Sequence, residues 1–390
     1  MKTQYAGNET QERALVEAGV IIKLGMDVHA RQITVCRQIG DRTPQPPQVF
    51  TKERLLVWVR KMVEAGAIVH SCYEAGVMGY TLHRELTALG VKNVVVAPQK
   101  LSGPKRQKTD GLDARALVDR LDRWLRGNRD AFSVVRVPTP AEEQARAQAR
   151  LRDHLGRMRR MAEGRGRCLL LAHGFTAEKY WWKPAKWEPV AASLPEWLRL
   201  LVAEWQATAV ELDKRERALR VQLEAAAPKE LPKGIGALTW VILAREICNW
   251  ARFRNRRQVA SYTGLCPGVH NSDGKGREGS INRCGNRAVR TALVELVWRL
   301  ARWQPDYPPV RALVDKASLS PRRRRKHAVA AARRLAIDLW RLATKQTTPD
   351  KLGLNVNVRP GALLTEHNGD ASEAAAGHND DRFVRGRAGR

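Results

Sequence analysis

Between residues 20 and 97, short apolar runs alternate with stretches of helical period. Val20 to Val28, Gln32 to Arg37, Ala67 to Cys72 and Asn93 to Ala97 are bounded by turn residues and too short for buried helices, so they read as strands. Lys52 to Ala65 and Tyr80 to Leu89 space their apolar residues three and four apart, so they read as helices. A sheet whose strands alternate with helices must be covered by those helices, and the pattern therefore requires a layered α/β domain. The Pro-rich Thr43 to Gln48 reads as a loop, and a basic loop, Gln99 to Thr109, leads into a helix over about Asp110 to Leu125.

After Pro138 the character changes. Ala141 to Leu171 and Pro195 to Ala227 are two long amphipathic stretches, which together predict a helical hairpin or coiled-coil connector. The segment between them holds Tyr180-Trp181-Trp182. Short helices and loops follow from Leu231 to about Lys345. The expected organisation is a polar lead-in at 1–19, an α/β domain at 20–137, a connector at 138–229, a mainly helical domain at 230–348 and a disordered tail at 349–390. The polar start is neither a secretory signal nor a transit peptide, and no run of about 18 apolar residues predicts a membrane span. The six cysteines are scattered, which suits reduced thiols in cytoplasm and argues against a zinc site or a disulfide framework.

The 390 residues carry a formal charge of +29. Such a surplus selects a polyanionic partner rather than a fold, and nucleic acid is the first expectation. Basic residues cluster at 105–108, 252–257, 275–287 and 322–326, which predicts a long contact rather than one patch. Aromatic rings can stack on unpaired bases, but Trp197, Trp205, Trp240, Trp298 and Trp340 lie in apolar helical patterns and read as core.

Against this basic background four acids stand out. Asp27 and Glu74 each end an apolar strand, and Asp110 and Asp113 share one face of the first helical turn after the basic loop. Each has a plainer reading: Asp110 as a helix N-cap, Glu74 as a cap for the next helix, Asp113 as a solvated charge. A carboxylate ending an apolar strand needs a partner, however. Strand ends and a helical pair can converge at one sheet edge, where two Mg²⁺ ions about 3.5–4 Å apart would neutralise them and serve phosphoryl transfer. The set points to a nuclease-like fold of the ribonuclease H type.

Leu231 to Leu238 contains Gly234 and Gly236 just before a helix. Two glycines there allow a turn whose N–H groups bind phosphate, as in a helix-hairpin-helix element, or a plain capping turn. Leu265 to Arg277 is a loop by composition. Its Ser272 lies among Lys275, Arg277, Arg283 and Arg287, cations that would stabilise charge developing on an attacked phosphodiester. On chemistry alone, Ser272 reads equally as a turn serine in a phosphate-binding loop.

Gly25-Met26-Asp27-Val28-His29, Tyr73-Glu74-Ala75-Gly76 with His83-Arg84, and Lys108-Thr109-Asp110-Gly111-Leu112-Asp113-Ala114-Arg115 resemble motifs of the DEDD transposases of bacterial insertion sequences. So do Gly234-Ile235-Gly236, Tyr262-Thr263-Gly264-Leu265-Cys266-Pro267, and Gly285-Asn286-Arg287 with Arg290. The resemblance spans about residues 20–345. It extends to bridge-RNA-guided serine recombinases and pilin-gene invertases. It implies a RuvC-like (Holliday-resolvase-like) N-terminal domain, a coiled-coil connector and a C-terminal transposase domain. It implies Mg²⁺ held by Asp27, Glu74, Asp110 and Asp113, and a nucleophile at Ser272. The basic clusters and the glycine turn supply the expected nucleic-acid contacts: Lys105, Arg106, Lys108, Gly234, Gly236, Lys275, Arg277, Arg283 and Arg287. The implied partners are donor and target DNA and an element-encoded bridge RNA. The implied assembly is a homodimer that forms a homotetramer, in which acid cluster and serine come from different protomers. The implied location is the bacterial cytoplasm, at the nucleoid.

Where the family commonly has Ser-Gly-Gly, this chain has Ser272-Asp273-Gly274, and Ser261 and Ser280 stand as alternative nucleophiles. Two other functions fit the same charge: a metal nuclease that resolves DNA junctions, and an inactive transposase-derived nucleic-acid-binding protein.

Overall fold

A computed structural model describes residues 18–98, 109–272, 275–314 and 320–358; over 269–278 and at 358 it describes the backbone alone. The lead-in at 1–17, the basic loop with Lys105, Arg106 and Lys108, and residues 359–390 lie outside the described residues. The chain divides into two compact units, Met1–Thr139 and Pro140–Arg390.

The first unit is built on a mixed five-stranded sheet of order β3-β2-β1-β4-β5. Its strands are β1 (Ile21–Val28), β2 (Ile33–Ile39), β3 (Gln48–Phe50), β4 (Ile68–Glu74) and β5 (Lys92–Val96). β1 pairs antiparallel with β2 and parallel with β4, which in turn pairs parallel with β5. Side chains alternate along β1, so its two faces have separate tasks. Ile22, Leu24 and Met26 are fully buried against α1 (Lys52–Glu64) and α2 (Thr81–Ala88), through Leu55, Val59, Leu82 and Leu86. The other face lies under α3 (Asp110–Leu125). β3, a three-residue strand on β2, falls at the end of the segment read as a loop. No neighbour in sequence reveals so short a strand; its pairing with β2 creates it.

The second unit opens with α4 (Pro140–Ala172), then α5 (Pro184–Ala192) and α6 (Glu196–Ala225). α4 and α6 pack antiparallel, with Gly156 against Glu216 and Gly166 against the Cβ of Trp205. Arg152 and Arg159 reach across to Glu216 at 2.7 and 3.2 Å. Trp181 and Trp182 are buried in the core at the end of this pair, and the Trp181 indole donates to the Glu163 carbonyl at 3.2 Å. The tryptophan reading is therefore corrected in part. Trp340 is core and Trp240 is half-buried against it, but Trp197, Trp205 and Trp298 are exposed: Trp298 lies on the side of its helix opposite the buried Val289, Leu293, Leu296 and Leu300, and Trp205 keeps its Cβ against Gly166 while the rest of its side chain reaches solvent.

Next come β6 (Glu230–Pro232), α7 (Ala237–Ile247), α8 (Arg256–Thr263), the ribbon β7 (Pro267–Ser272) and β8 (Lys275–Ile281), and α9 (Arg287–Trp303). α10 (Arg311–Val314), α11 (Pro321–Ala343), α12 (Pro349–Leu352) and β9 (Val356–Val358) complete it. One core joins Leu243, Val259, Leu293, Leu296, Leu335 and Leu339. The disordered tail expected from 349 is corrected over 349–358: Leu352 and Leu354 are buried in this core, and β9 pairs antiparallel with β6. Low hydropathy hid this segment because only two apolar side chains anchor it. No helix among the described residues is long and apolar enough to cross a membrane.

Candidate active site

The acid edge is set by how closely α3 approaches β1. A Cβ at Gly25 would lie 2.3 Å from both the Ala114 carbonyl oxygen and the Val118 nitrogen, so only glycine lets the helix sit there. In register on either side are Cys36 and Cys72, small buried residues that complete the floor beneath α3. The Cys72 thiol donates to the Leu117 carbonyl at 3.5 Å, and burial pushes its pKa far up, so it is a packing residue and not a thiolate. At the far end of the helix, buried Lys23 pairs with Asp122 and donates to the Gly40 carbonyl at 2.8 Å. Burial alone would raise the Asp122 pKa, but Lys23 and Arg126 outweigh it and hold the carboxyl below its ordinary value.

Lys23, Gly25 and Asp27 therefore share the α3 face, and His29 continues the alternation past the strand end. α3 runs opposite to β1, so Asp110, one turn before Ala114, arrives at Asp27. His29 Nε2 stands 3.2 Å from Asp27 Oδ2 and 3.6 Å from Asp110 Oδ2. Among the described residues, these three form the group whose ligand atoms all lie within 4.8 Å of one another. Glu74 ends the neighbouring parallel strand on the same face, since Met26 pairs with Tyr73, and is exposed. Asp113 lies in the same first turn of α3 and is half-buried. Neither Glu74 nor Asp113 belongs to the tight group.

The cap of α3 is Thr109, whose hydroxyl accepts from Leu112 N at 3.4 Å, which frees Asp110 for the edge. Two carboxylates and an imidazole, partly exposed, are a donor set able to hold a divalent cation. His29 was quoted in the sequence motif without a role. Its spacing of two from Asp27 at a strand end was the available signal.

The second assembly is the root of the β7–β8 ribbon. Gly264 has φ +65°, and a Cβ there would meet Arg290 Nη1 at 2.6 Å. A Cβ at Gly285 would lie 2.5 Å from Gly264 N and Tyr262 O. Asn286 N donates to Tyr262 O at 2.8 Å, and Asn282 N donates to Cys266 O at 2.9 Å. Arg290 Nη1 donates to the carbonyls of Thr263 and Arg283 at 3.2 and 3.3 Å. The Tyr262–Pro267 and Gly285–Arg287 motifs, distant in sequence, are thus one joint.

From that joint the ribbon carries Ser272 to its tip, where it pairs with Lys275. This corrects the loop reading of 265–277: glycine, asparagine and serine disguise strands that exist through mutual pairing. Ser272, Lys275 and Arg277 are placed by backbone alone. Arg283 and Arg287 are exposed at the ribbon's foot, as are the alternative serines, Ser261 on α8 and Ser280 on β8. Beneath lies buried Glu246 on α7, absent from the sequence reading because nothing distinguishes it there from a surface helix acid.

The glycine turn precedes α7 as expected. Gly234 has φ +90° against Trp303, and Gly236 is the N-cap, with no side-chain cap on the first-turn N–H groups.

A family model described as "Transposase IS116/IS110/IS902 family" matches residues 231–310, the segment from β6 past the ribbon and α9. The protein y4rJ of Sinorhizobium fredii, a transposase by name, is 29% identical over 302 residues, which cover 69% of this chain and 75% of that protein. The transposase for insertion sequence element IS1111A of Coxiella burnetii is 25% identical over 284 residues, 68% of this chain and 75% of its own. The transposase for insertion sequence element IS1533 of Leptospira borgpetersenii is 31% identical over 159 residues, 38% of this chain and 42% of its own. The ordered motifs, the matched segment and these relatives agree: the chain is similar to insertion-sequence transposases of the IS116/IS110/IS902 family.

Proposed function

We propose that this protein cleaves and exchanges DNA strands to move an insertion sequence, using Ser272 as nucleophile and an acid edge that holds Mg²⁺. The observation that carries the reading is the convergence of Asp27 and Asp110 with His29 at the end of a mixed sheet. Asp27, Glu74, Asp110 and Asp113 hold the ion, within a RuvC-like domain, and His29 adds a nitrogen donor. When bound, the ion supplies positive charge beside the reacting phosphate.

The serine step balances without another reactant. The Ser272 Oγ–P bond forms, a P–O bond to deoxyribose breaks, the serine proton leaves to a base, and the departing oxygen takes up a proton. Reverse attack by a strand-end hydroxyl reseals the backbone and releases the serine. Lys275 and Arg277, near Ser272 on the ribbon, lower the energy of the charged phosphorus centre, and Arg283 and Arg287 at the foot hold nucleic-acid backbone. Lys105, Arg106, Lys108 and the Gly234–Gly236 hairpin hold nucleic-acid backbone. A bridge RNA that pairs with donor and target DNA supplies the addresses, and homodimers assemble to a homotetramer at the nucleoid. A charge of +29 suits a protein that holds both RNA and DNA.

Purified protein with its RNA, donor, target and Mg²⁺ should yield strand exchange and a protein–DNA adduct that survives denaturation. Ser272→Ala should abolish the adduct; adducts of undiminished yield in that variant would end the serine assignment. Hydrolytic products with free ends and no adduct would favour a junction-resolving metal nuclease instead.

A further inference from the structure

We propose that Glu246 is a positioning residue for the Ser272 ribbon, locking the ribbon's root to α4. Glu246 is 2% exposed and lies in the last turn of α7, where the helix dipole disfavours an acid. A buried carboxylate is retained only with partners, and it has them from α4 and from the cap of α9, while α8 bonds its backbone carbonyl. Arg150 of α4 donates through Nε and Nη2 to its two oxygens at 2.7 and 2.9 Å, and Arg146 stands 3.5 Å away. Asn286 Nδ2 donates to Oε2 at 2.8 Å, and the Tyr262 hydroxyl donates to the Glu246 carbonyl at 2.7 Å. Burial raises the carboxyl's pKa, but Arg150 and Asn286 outweigh it, so the group is ionised at neutral pH.

Both of those last partners belong to the joint. Asn286 caps α9 through Val289 N and bonds Tyr262 twice, through its backbone N–H and its amide. The feet of the ribbon leave from Leu265 and Asn282 beside them. Glu246 thus joins the ribbon root to the long helix α4 through bonds that fix direction as well as distance.

A lever argument says why direction matters. The ribbon runs from Pro267 to Ser272, about 17 Å at strand rise. A tilt of about 5° at the root displaces the tip by about 1.5 Å, and a misplacement of about 1 Å can lower a rate about a hundredfold. Removing one member of this network should therefore act on the reaction more than on folding.

The inference rests on Ser272 as nucleophile, and the test separates the two. Glu246→Gln, in the full chain with its RNA and DNA, should slow single-turnover adduct formation about ten- to a hundredfold with DNA affinity unchanged. Spin probes introduced as unnatural amino acids at positions 151 and 276 should show a distance distribution shifted or broadened by more than about 1 Å. Arg150→Ala, at a half-exposed side chain, should move both readouts in the same direction and serves if Glu246→Gln does not fold. A lower melting temperature with wild-type adduct rate and wild-type distances would reduce Glu246 to a fold-stabilising residue and overturn the proposal. If Ser272→Ala still forms adducts, the nucleophile assignment falls, and the distances alone decide the role of Glu246.

Discussion

Gly25→Ala tests the geometry of the acid edge at its least forgiving point. The added methyl would meet Ala114 O and Val118 N at 2.3 Å and Leu117 C at 3.0 Å. All three atoms are backbone, so no rotamer change relieves the contact and α3 must move. Reaching ordinary contact at 3.4 Å requires a shift of about 1 Å. Overpacking of this kind costs about 1–3 kcal/mol. In hydrogen exchange, amides of residues 110–125 should lose about 5- to 150-fold of their protection. The same shift carries Asp110 away from Asp27, so Mn²⁺ affinity, read by titration calorimetry or electron paramagnetic resonance, should fall about tenfold or more. Gly76→Ala is the control, because its methyl meets only Glu74 O at 4.0 Å and should leave α3 protection as it was. Wild-type protection of α3 together with wild-type metal affinity in Gly25→Ala would refute the reasoning.

The other predictions use the same kind of contact. Asp27→Asn and Asp110→Asn should each weaken Mn²⁺ binding about tenfold or more, His29→Ala by a smaller factor, all by calorimetry on the full chain; equal affinity in all three would remove the metal from this edge. Two glycines on α4 should respond oppositely to alanine. Gly164 has open space around it and should gain about 0.5–1 kcal/mol, whereas Gly166 faces Trp181 Cζ2 at 2.3 Å and should lose stability in chemical denaturation. Glu246 has a folded pKa below its ordinary 4.5. Its contribution to stability is therefore complete above about pH 4.5 and is lost as pH falls through the folded value. Glu246→Gln should accordingly flatten the acid limb of a urea-midpoint profile, and an unchanged limb would contradict the ion pairs with α4.

The apolar strands and periodic helices of the first unit were legible because burial writes itself into sequence as alternation and period. Asp27 could be singled out for the same reason, since a carboxylate at the end of an apolar run is conspicuous, and Asp110 by the helical face it shares with Asp113; the small residues Gly25, Cys36 and Cys72 beneath α3 could not. Three features were illegible for a common cause, namely that a partner far along the chain defines them. The β7–β8 ribbon is rich in glycine and polar residues, and each strand is a strand only because the other pairs with it. Nothing in the Pro- and Lys-containing segment around Trp181 and Trp182 shows that both are buried, which their packing against α4 and α6 brings about. Glu246 resembles a solvated helix acid until α4 brings two arginines to it. The first acidic residue after the basic loop invited a capping role, which Thr109 fills one position earlier.

Four alternating positions on one side of β1 and its end serve three purposes: Lys23 anchors Asp122, Gly25 admits α3, and Asp27 and, just past the strand, His29 meet Asp110. Because neighbouring residues point to opposite faces, losing a single codon from β1 would turn every position beyond the deletion over. Apolar side chains would then stand where the helix needs a glycine and the edge needs a carboxylate. The gene should therefore tolerate substitutions along this strand far better than in-frame deletions. In a decaying copy of the element, the length of β1 should be a more faithful mark of lost activity than its spelling.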